Sequence, residues 1–273
     1  MYLIDSHTHL FSEEFDSDRN LVIQRAIESG VGLFCLPNID VESIERLHQV
    51  SDQYSAYCFP MIGLHPTSVK ANYQRELEII KAELNKRKYT AIGEIGLDLY
   101  WDKTFFNEQI HTFEEQLQWS LEWDLPVAIH TRDAFPQVFE SLYKTSVDRL
   151  RGVFHSFSGS REELETIALC KNFMIGINGI ITYKKADFRD YLPLFPLERI
   201  ILETDSPYLP PTSFRGKRNE PSYLPYIAAK LAEVYNLPVE KIAEITTENT
   251  RRLFDIEKFY EGTKDSLLSF VNA

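Results

Sequence analysis

Cysteine is scarce: the 273 residues hold three, at positions 35, 58 and 170, and no C-x-x-C pair. That excludes a disulfide-stapled secreted scaffold and fits a reducing compartment, most simply the cytoplasm. Cys35 and Cys58 fall in β-like runs, where a buried, inert thiol is expected. Positive charge is also short, with 29 Lys and Arg against 41 Asp and Glu, a formal net charge of −12 at pH 7. This excludes a protein that grips nucleic acid or anionic lipid with its whole surface, but not one with a local basic patch. No apolar run approaches the ~18 residues of a membrane span. The opening Met1-Tyr2-Leu3-Ile4-Asp5 lacks the basic segment of a signal peptide. No Pro/Gly/Ser linker, low-complexity tract or charge block divides the chain, which favours one large domain over two modest ones.

What is present is a rhythm. Eight short apolar runs, rich in Val, Ile, Leu and Phe, read as strands: Tyr2–Asp5, Val31–Leu36, Ala56–Ile62, Ala91–Glu94, Val127–His130, Gly152–His155, Phe173–Ile177 and Arg199–Leu202. They do not alternate strictly, as expected of parallel strands buried on both faces. Between them lie helical stripes, such as Phe106, Ile110, Phe113, Leu117 and Leu121, or Leu224, Ile227, Leu231 and Val234. Ile44, Leu47 and Val50 mark a third stripe, with His48 expected beside it in solvent. Strand–helix alternation repeated eight times over this length predicts an α/β fold, a (β/α)8 TIM barrel, with a doubly wound open sheet as the alternative. The barrel is expected over residues 1–256, followed by a C-terminal extension, 257–273.

The seven histidines are not spread evenly. His48 and His111 lie on helices and read as surface residues. His7, His9, His65, His130 and His155 come at or just after strand ends, joined there by Glu94 and Asp205. In a barrel these places converge on the C-terminal mouth, where active sites are built. Each alone has an ordinary explanation: a satisfied loop histidine, an ion-pair carboxylate, an N-cap. Four imidazoles and two carboxylates crowded in one mouth without a partner are electrostatically expensive, and a metal centre relieves that expense. His7, His9, Glu94, His130, His155 and Asp205 exceed the ligand count of one tetrahedral zinc. Two divalent ions sharing a carboxylate use them all, and such a pair activates water for hydrolysis. Imidazoles suit Zn²⁺ or Mn²⁺, and a phosphate substrate can complete a Mg²⁺ shell.

In combination, several segments resemble the TatD family of metal-dependent deoxyribonucleases, within the amidohydrolase superfamily. They are Asp5-Ser-His-Thr-His9, Gly63-Leu-His-Pro66, Gly93-Glu-Ile-Gly-Leu-Asp98, Pro126-Val-Ala-Ile-His-Thr-Arg-Asp133, His155-Ser-Phe-Ser-Gly159, Leu202-Glu-Thr-Asp-Ser-Pro207 and Arg218-Asn-Glu-Pro221. The resemblance implies that His7, His9, Glu94 and Asp205 hold one metal and that Glu94, His130 and His155 hold a second, with Glu94 as the bridge. No lysine ends strand four, which sets the chain apart from relatives whose bridge is a carbamylated lysine. Asp205 is the implied proton acceptor, making Asp205 and Glu94 the catalytic pair.

A phosphodiester also needs donors to its nonbridging oxygens, and His65, Arg132 and Arg218 are the candidates. Arg218 lies in a loop, residues 213–220, with Arg215 and Lys217 against Glu220; a solvated surface loop is the alternative reading. Asp98 and Glu203 are candidates to orient ligands or to form structural ion pairs. Tyr100 and Trp101 could stack on a base or pack at the rim. The expected function is metal-dependent hydrolysis of DNA, as single strands or ends, with neither membrane association nor a stable protein partner implied. Rivals are a barrel hydrolase acting on a small amide, lactone or phosphoester, and a non-catalytic metal or nucleic-acid binding protein. The extension carries Phe259, Tyr260, Leu267, Leu268, Phe270 and Val271, a density of apolar residues that predicts docking on the barrel or on another subunit.

Overall fold

The structure is a computed structural model, and it describes residues 2–259. Eight strands form where the sequence places them: β1 (Leu3–Asp5), β2 (Val31–Leu36), β3 (Cys58–Pro60), β4 (Ile92–Asp98), β5 (Val127–Arg132), β6 (Gly152–Phe154), β7 (Phe173–Ile177) and β8 (Ile200–Leu202). Every pairing is parallel, in the orders β1-β2-β3 and β4-β5-β6-β7-β8. Two seams join these sheets. At one, Ile62 bridges Ile92 and the Gly93 amide donates to the Ile62 carbonyl at 2.9 Å. At the other, the Ser6 amide and hydroxyl both donate to the Leu202 carbonyl, at 3.0 and 2.9 Å. The last strand therefore meets the first, and the fold is the (β/α)8 barrel rather than the open sheet.

The core has two layers. The inner one takes side chains from every stave: Ile4, Leu33 and Cys35, Phe59 and Met61, Ala91, Ala128, Val153, Met174 and Ile201. Their neighbours along the strands, such as Leu3, Phe34, Ile92, Ile129 and Ile200, face outward into the layer under the helices. This inside–outside alternation is the period-two geometry of a strand. The outer layer is covered by α1 (Arg19–Glu28), α2 (Ile44–Gln53), α3 (Tyr73–Leu84), α4 (Phe106–Trp123), α5 (Phe135–Thr145), α6 (Arg161–Leu169), α7 (Leu224–Tyr235) and α8 (Val239–Leu253). The crossing from β7 to β8 carries no α-helix; four short 3₁₀ turns between Gly179 and Arg199 replace it, in a segment interrupted by Pro193 and Pro196.

Leu253, Phe254 and Ile256 plug the N-terminal end of the barrel and belong to the inner layer. A last turn, α9 (Ile256–Phe259), sets the Phe259 ring 5.4 Å from that of Phe59. The beginning of the expected extension thus docks on the barrel floor. Residues 260–273, and with them Tyr260, Leu267, Leu268, Phe270 and Val271, lie outside the described residues.

Two strand limits differ from expectation and bear on the site. β4 runs on to Asp98 and β5 to Arg132, so Glu94 and His130 lie inside strands rather than at their ends. Gly93 and Gly96 interrupt the apolar pattern of β4 in the sequence; in the barrel, pairing with β5 carries the strand past them.

Candidate metal centre

Glu94 owes its direction to a β-bulge. Between Ile92 and Ile95 the register against β5 shifts, three steps on β4 matching two on its partner. A bulge admits an extra residue and re-aims a side chain. Ile92 and Ile95 both face the outer layer, while Glu94 between them enters the mouth, 3% exposed. Gly96, at φ +142°, sits so close to β5 that a Cβ there would stand 2.0 Å from the His130 carbonyl oxygen. Only glycine allows the two strands that carry Glu94 and His130 to approach this closely.

The segment after β1 continues between its neighbours. Thr8 donates to the Cys35 carbonyl at 3.0 Å, His9 to the Ser206 carbonyl at 2.8 Å, and Asp205 to the His7 carbonyl at 2.9 Å. His7 and His9 are thereby held side by side, both almost fully buried. Asp205 and Ser156, just past β8 and β6, take left-handed backbone conformations at φ 58° and 54°. Non-glycine residues rarely adopt these, and such positions cluster at functional sites.

Glu94 stands at the centre with one oxygen toward each group of imidazoles. Its Oε2 lies 3.1 Å from His7 Nε2 and 3.9 Å from His9 Nε2. Asp205 Oδ1 closes that group, 3.8 Å from His7 Nε2 and 3.5 Å from His9 Nε2. Oε1 faces His130 Nδ1 at 2.9 Å, His65 Nε2 at 3.3 Å and His155 Nε2 at 3.9 Å. The structure thus brings together all six residues expected as metal ligands and adds His65, which groups with Glu94 and His130. His155 Nε2 lies between the two sets, 3.7 Å from Asp205 Oδ1.

These residues fit divalent cations. His7 Nε2, His9 Nε2 and His155 Nε2 converge with Glu94 Oε2 and Asp205 Oδ1 at 3.1–3.9 Å in a buried setting, a crowding of ligand atoms that a bound cation would relieve. The His7 and His155 rings stack at 3.5 Å, which disfavours a charge on both. Burial, with His155 next in effect, lowers the pKa of His7 and leaves its lone pair free to ligate. His65 is lowered too, again chiefly by burial. Burial alone would raise Glu94, but its interactions with the surrounding imidazoles, His65, His7 and His155, and the bond from His130 hold it well below the ordinary carboxylate range. Asp205 follows the same logic, its burial outweighed by His155, His9 and His7.

Carboxylates brace the ligands from behind. His130 Nε2 meets Asp98 Oδ2 at 2.9 Å, and His155 Nδ1 meets Glu203 Oε1 at 2.9 Å. Glu203 also accepts the Ser156 amide at 2.6 Å, and its carboxylate packs where a Cβ on Gly176 would stand. Such partners fix ring orientation and raise ligand basicity. Burial works against protonation of both imidazoles, but Asp98 and Glu94 raise His130 to about 8, and Glu203, Asp205 and Glu94 raise His155 to about 10. Asp98 and Glu203 are therefore the orienting partners of two candidate ligands.

Other supports were not visible in the sequence. Gln116 of α4 clamps Leu64, accepting its amide at 2.7 Å and donating to its carbonyl at 3.2 Å. Gln109 accepts the Asp98 amide at 3.0 Å. Buried Asp5 accepts the Thr204 amide at 2.9 Å and the Thr204 hydroxyl, and burial pushes its carboxyl up to about 8. The two glutamines sit seven residues apart, both buried, on one face of α4.

The expected phosphate contacts divide. A cleft of about 570 Å³ opens over the centre and is lined by His65, Arg132, Trp101, Ser156 and Tyr208 among others. Arg218 is not placed there. Its guanidinium pairs with both oxygens of Asp18 at 2.8 and 2.7 Å and covers the Phe15 ring, so it anchors a loop and is not a free phosphate donor. Glu220 of the same loop pairs with Arg25 at 2.6 Å. Of the two histidines expected on the surface, His111 is exposed, whereas His48 is half-buried and bonded to the Tyr89 hydroxyl at 2.7 Å.

A parallel barrel whose C-terminal mouth gathers histidines and carboxylates around a shared glutamate defines the class of metal-dependent barrel hydrolases. Within it the match is specific: the family model described as TatD related DNase covers residues 4–255. The chain belongs to that family. It is 37% identical over 93% of its length to an "Uncharacterized metal-dependent hydrolase YabD" of Bacillus subtilis (strain 168), covering 99% of that protein. It is 32% identical over 93% of its length to a "3'-5' ssDNA/RNA exonuclease TatD" of Pantoea ananatis, covering 100% of it. Among solved structures, the TatD homolog YJJV from Escherichia coli K12 superposes with a TM-score of 0.87 at 34% identity, over 93% of this chain and 98% of that one.

Proposed function

We propose that this enzyme is a two-metal phosphodiesterase that removes nucleotides from single-stranded DNA ends. The observation that carries the reading is Glu94, whose two oxygens face separate imidazole groups, the arrangement of a bridging carboxylate. Relatives named as 3'-5' ssDNA/RNA exonucleases support single strands and ends, and add RNA as a second substrate to assay.

His7, His9, Glu94 and Asp205 hold one ion in this reading, and Glu94, His130 and His155 the other. Divalent ions there supply Lewis acidity, which stabilises negative charge at phosphorus and lowers the pKa of water. The remaining steps belong to side chains. Asp205 stays anionic among the imidazoles and takes the proton of the attacking water on its carboxylate. Arg132 and His65, on the cleft wall, donate to the nonbridging oxygens and orient the phosphate. As the P–O bond to the departing sugar oxygen breaks, the proton on Asp205 passes to that oxygen.

The test uses end-labelled single- and double-stranded oligonucleotides with Mg²⁺, Mn²⁺ or Zn²⁺. Asp205→Ala is expected to lower kcat by about 10²–10⁴-fold, the usual contribution of a positioned proton acceptor. Glu94→Ala is expected to abolish turnover and lower the metal content of the purified protein. Undiminished cleavage by both variants would overturn the reading, and turnover of lactones or amides with intact oligonucleotides would replace it with the small-substrate rival.

A further inference from the structure

We propose that Trp101, framed by Tyr100 and Arg132, is a stacking platform for an unpaired base of the substrate. This rests on the nuclease reading and goes beyond it by naming the element that selects unpaired ends. Tyr100 and Trp101 are adjacent, yet 54% and 69% exposed, so core packing at the rim does not account for them. Large aromatic surface held in water beside a cleft marks a binding site. Trp101 lines the cleft together with Arg132, His65 and Glu94.

The backbone of the pair is anchored. Asp98 Oδ1 accepts the amides of Tyr100 and Trp101 at 3.0 and 3.2 Å. The two rings meet edge to face, with centroids 4.9 Å apart and planes at 88°. Arg132 lays its guanidinium 3.8 Å over the Tyr100 ring and 5.2 Å from that of Trp101. One face of Tyr100 is therefore occupied, and the largely exposed indole is the surface left for a ligand. Arg132 places a cation beside the indole, where the phosphate of a stacked nucleotide would lie. Inside a duplex a base has both faces covered by its neighbours, so an interior base must unstack before it can use the platform.

The second oxygen of Asp98 holds His130. The carboxylate that fixes the platform thus also fixes a candidate ligand, which ties base position to phosphate position.

The experiment compares wild type, Trp101→Ala and Trp101→Phe on a single-stranded oligonucleotide and on the same strand with abasic residues at its labelled end. Trp101→Ala should raise KM about 10- to 100-fold on the natural strand, the order of a lost base–aromatic stack, with kcat within about twofold. Trp101→Phe should restore most of that loss. On the abasic strand, wild type and Trp101→Ala should be alike, whereas a misfolded variant would lose activity on both strands. An unchanged KM for Trp101→Ala, or an equal loss on the abasic strand, overturns the platform and leaves the nuclease reading standing. If wild type cleaves neither strand, the nuclease reading falls and takes the platform with it.

Discussion

At the residue scale, when no cation is bound, the negative charge of Glu94, Asp205 and Asp98 is offset by protons on His130 and His155. Their pKa values, raised to about 8 and about 10, lie above the ~6.5 of a free imidazole. In the metal-free protein their stabilisation is therefore full below about pH 6.5 and is lost as pH rises through about 8 and then about 10. A cation must displace those protons, so metal affinity should rise with pH across the same window. Calorimetric titration of chelator-stripped protein at pH 7 should show proton release on metal uptake, as a heat that differs between buffers of unlike ionisation enthalpy. Identical heats in all buffers would contradict this assignment. The gathering of histidine, aspartate and glutamate around the strands is legible in the sequence, although Glu94 and His130 lie inside β4 and β5 rather than at their ends. Arg218 was misread because its partner Asp18 is remote in the chain, and charge counting sees only near neighbours.

At the scale of elements, the strand pattern was legible and its irregularity was not. Apolar runs mark strands, but the bulge at Glu94 exists only relative to the register of β5, which no single run encodes. Gln109 and Gln116 on α4 were invisible for a related reason: glutamine reads as solvated until a backbone amide is found against it. Gln116→Ala should leave the Leu64 amide unpaired in a buried setting, costing about 1–3 kcal/mol. Urea denaturation should report that loss. His65 follows Leu64 directly, so KM for an oligonucleotide should rise while metal content holds. A stable variant with unchanged KM would remove the clamp from the account of the site.

For the molecule as a whole, the barrel separates its tasks between two ends. The mouth carries buried charge, and the floor carries Leu253, Phe254 and Ile256 in an apolar plug. Phe254→Ala should cost about 3–5 kcal/mol, as buried phenylalanine truncations do. At a temperature where the variant stays folded, kcat and KM should be unchanged; a fall in kcat there would mean the two ends are coupled. The floor also constrains the order of events as the chain is made. The inner layer that Ile4 opens on the first strand is completed only by Leu253, Phe254 and Ile256, so the floor of the barrel cannot close before nearly the whole domain has been synthesised. Asp205 too emerges long after the histidines it faces. The centre is assembled late in synthesis, although His7 and His9 precede every other member of it.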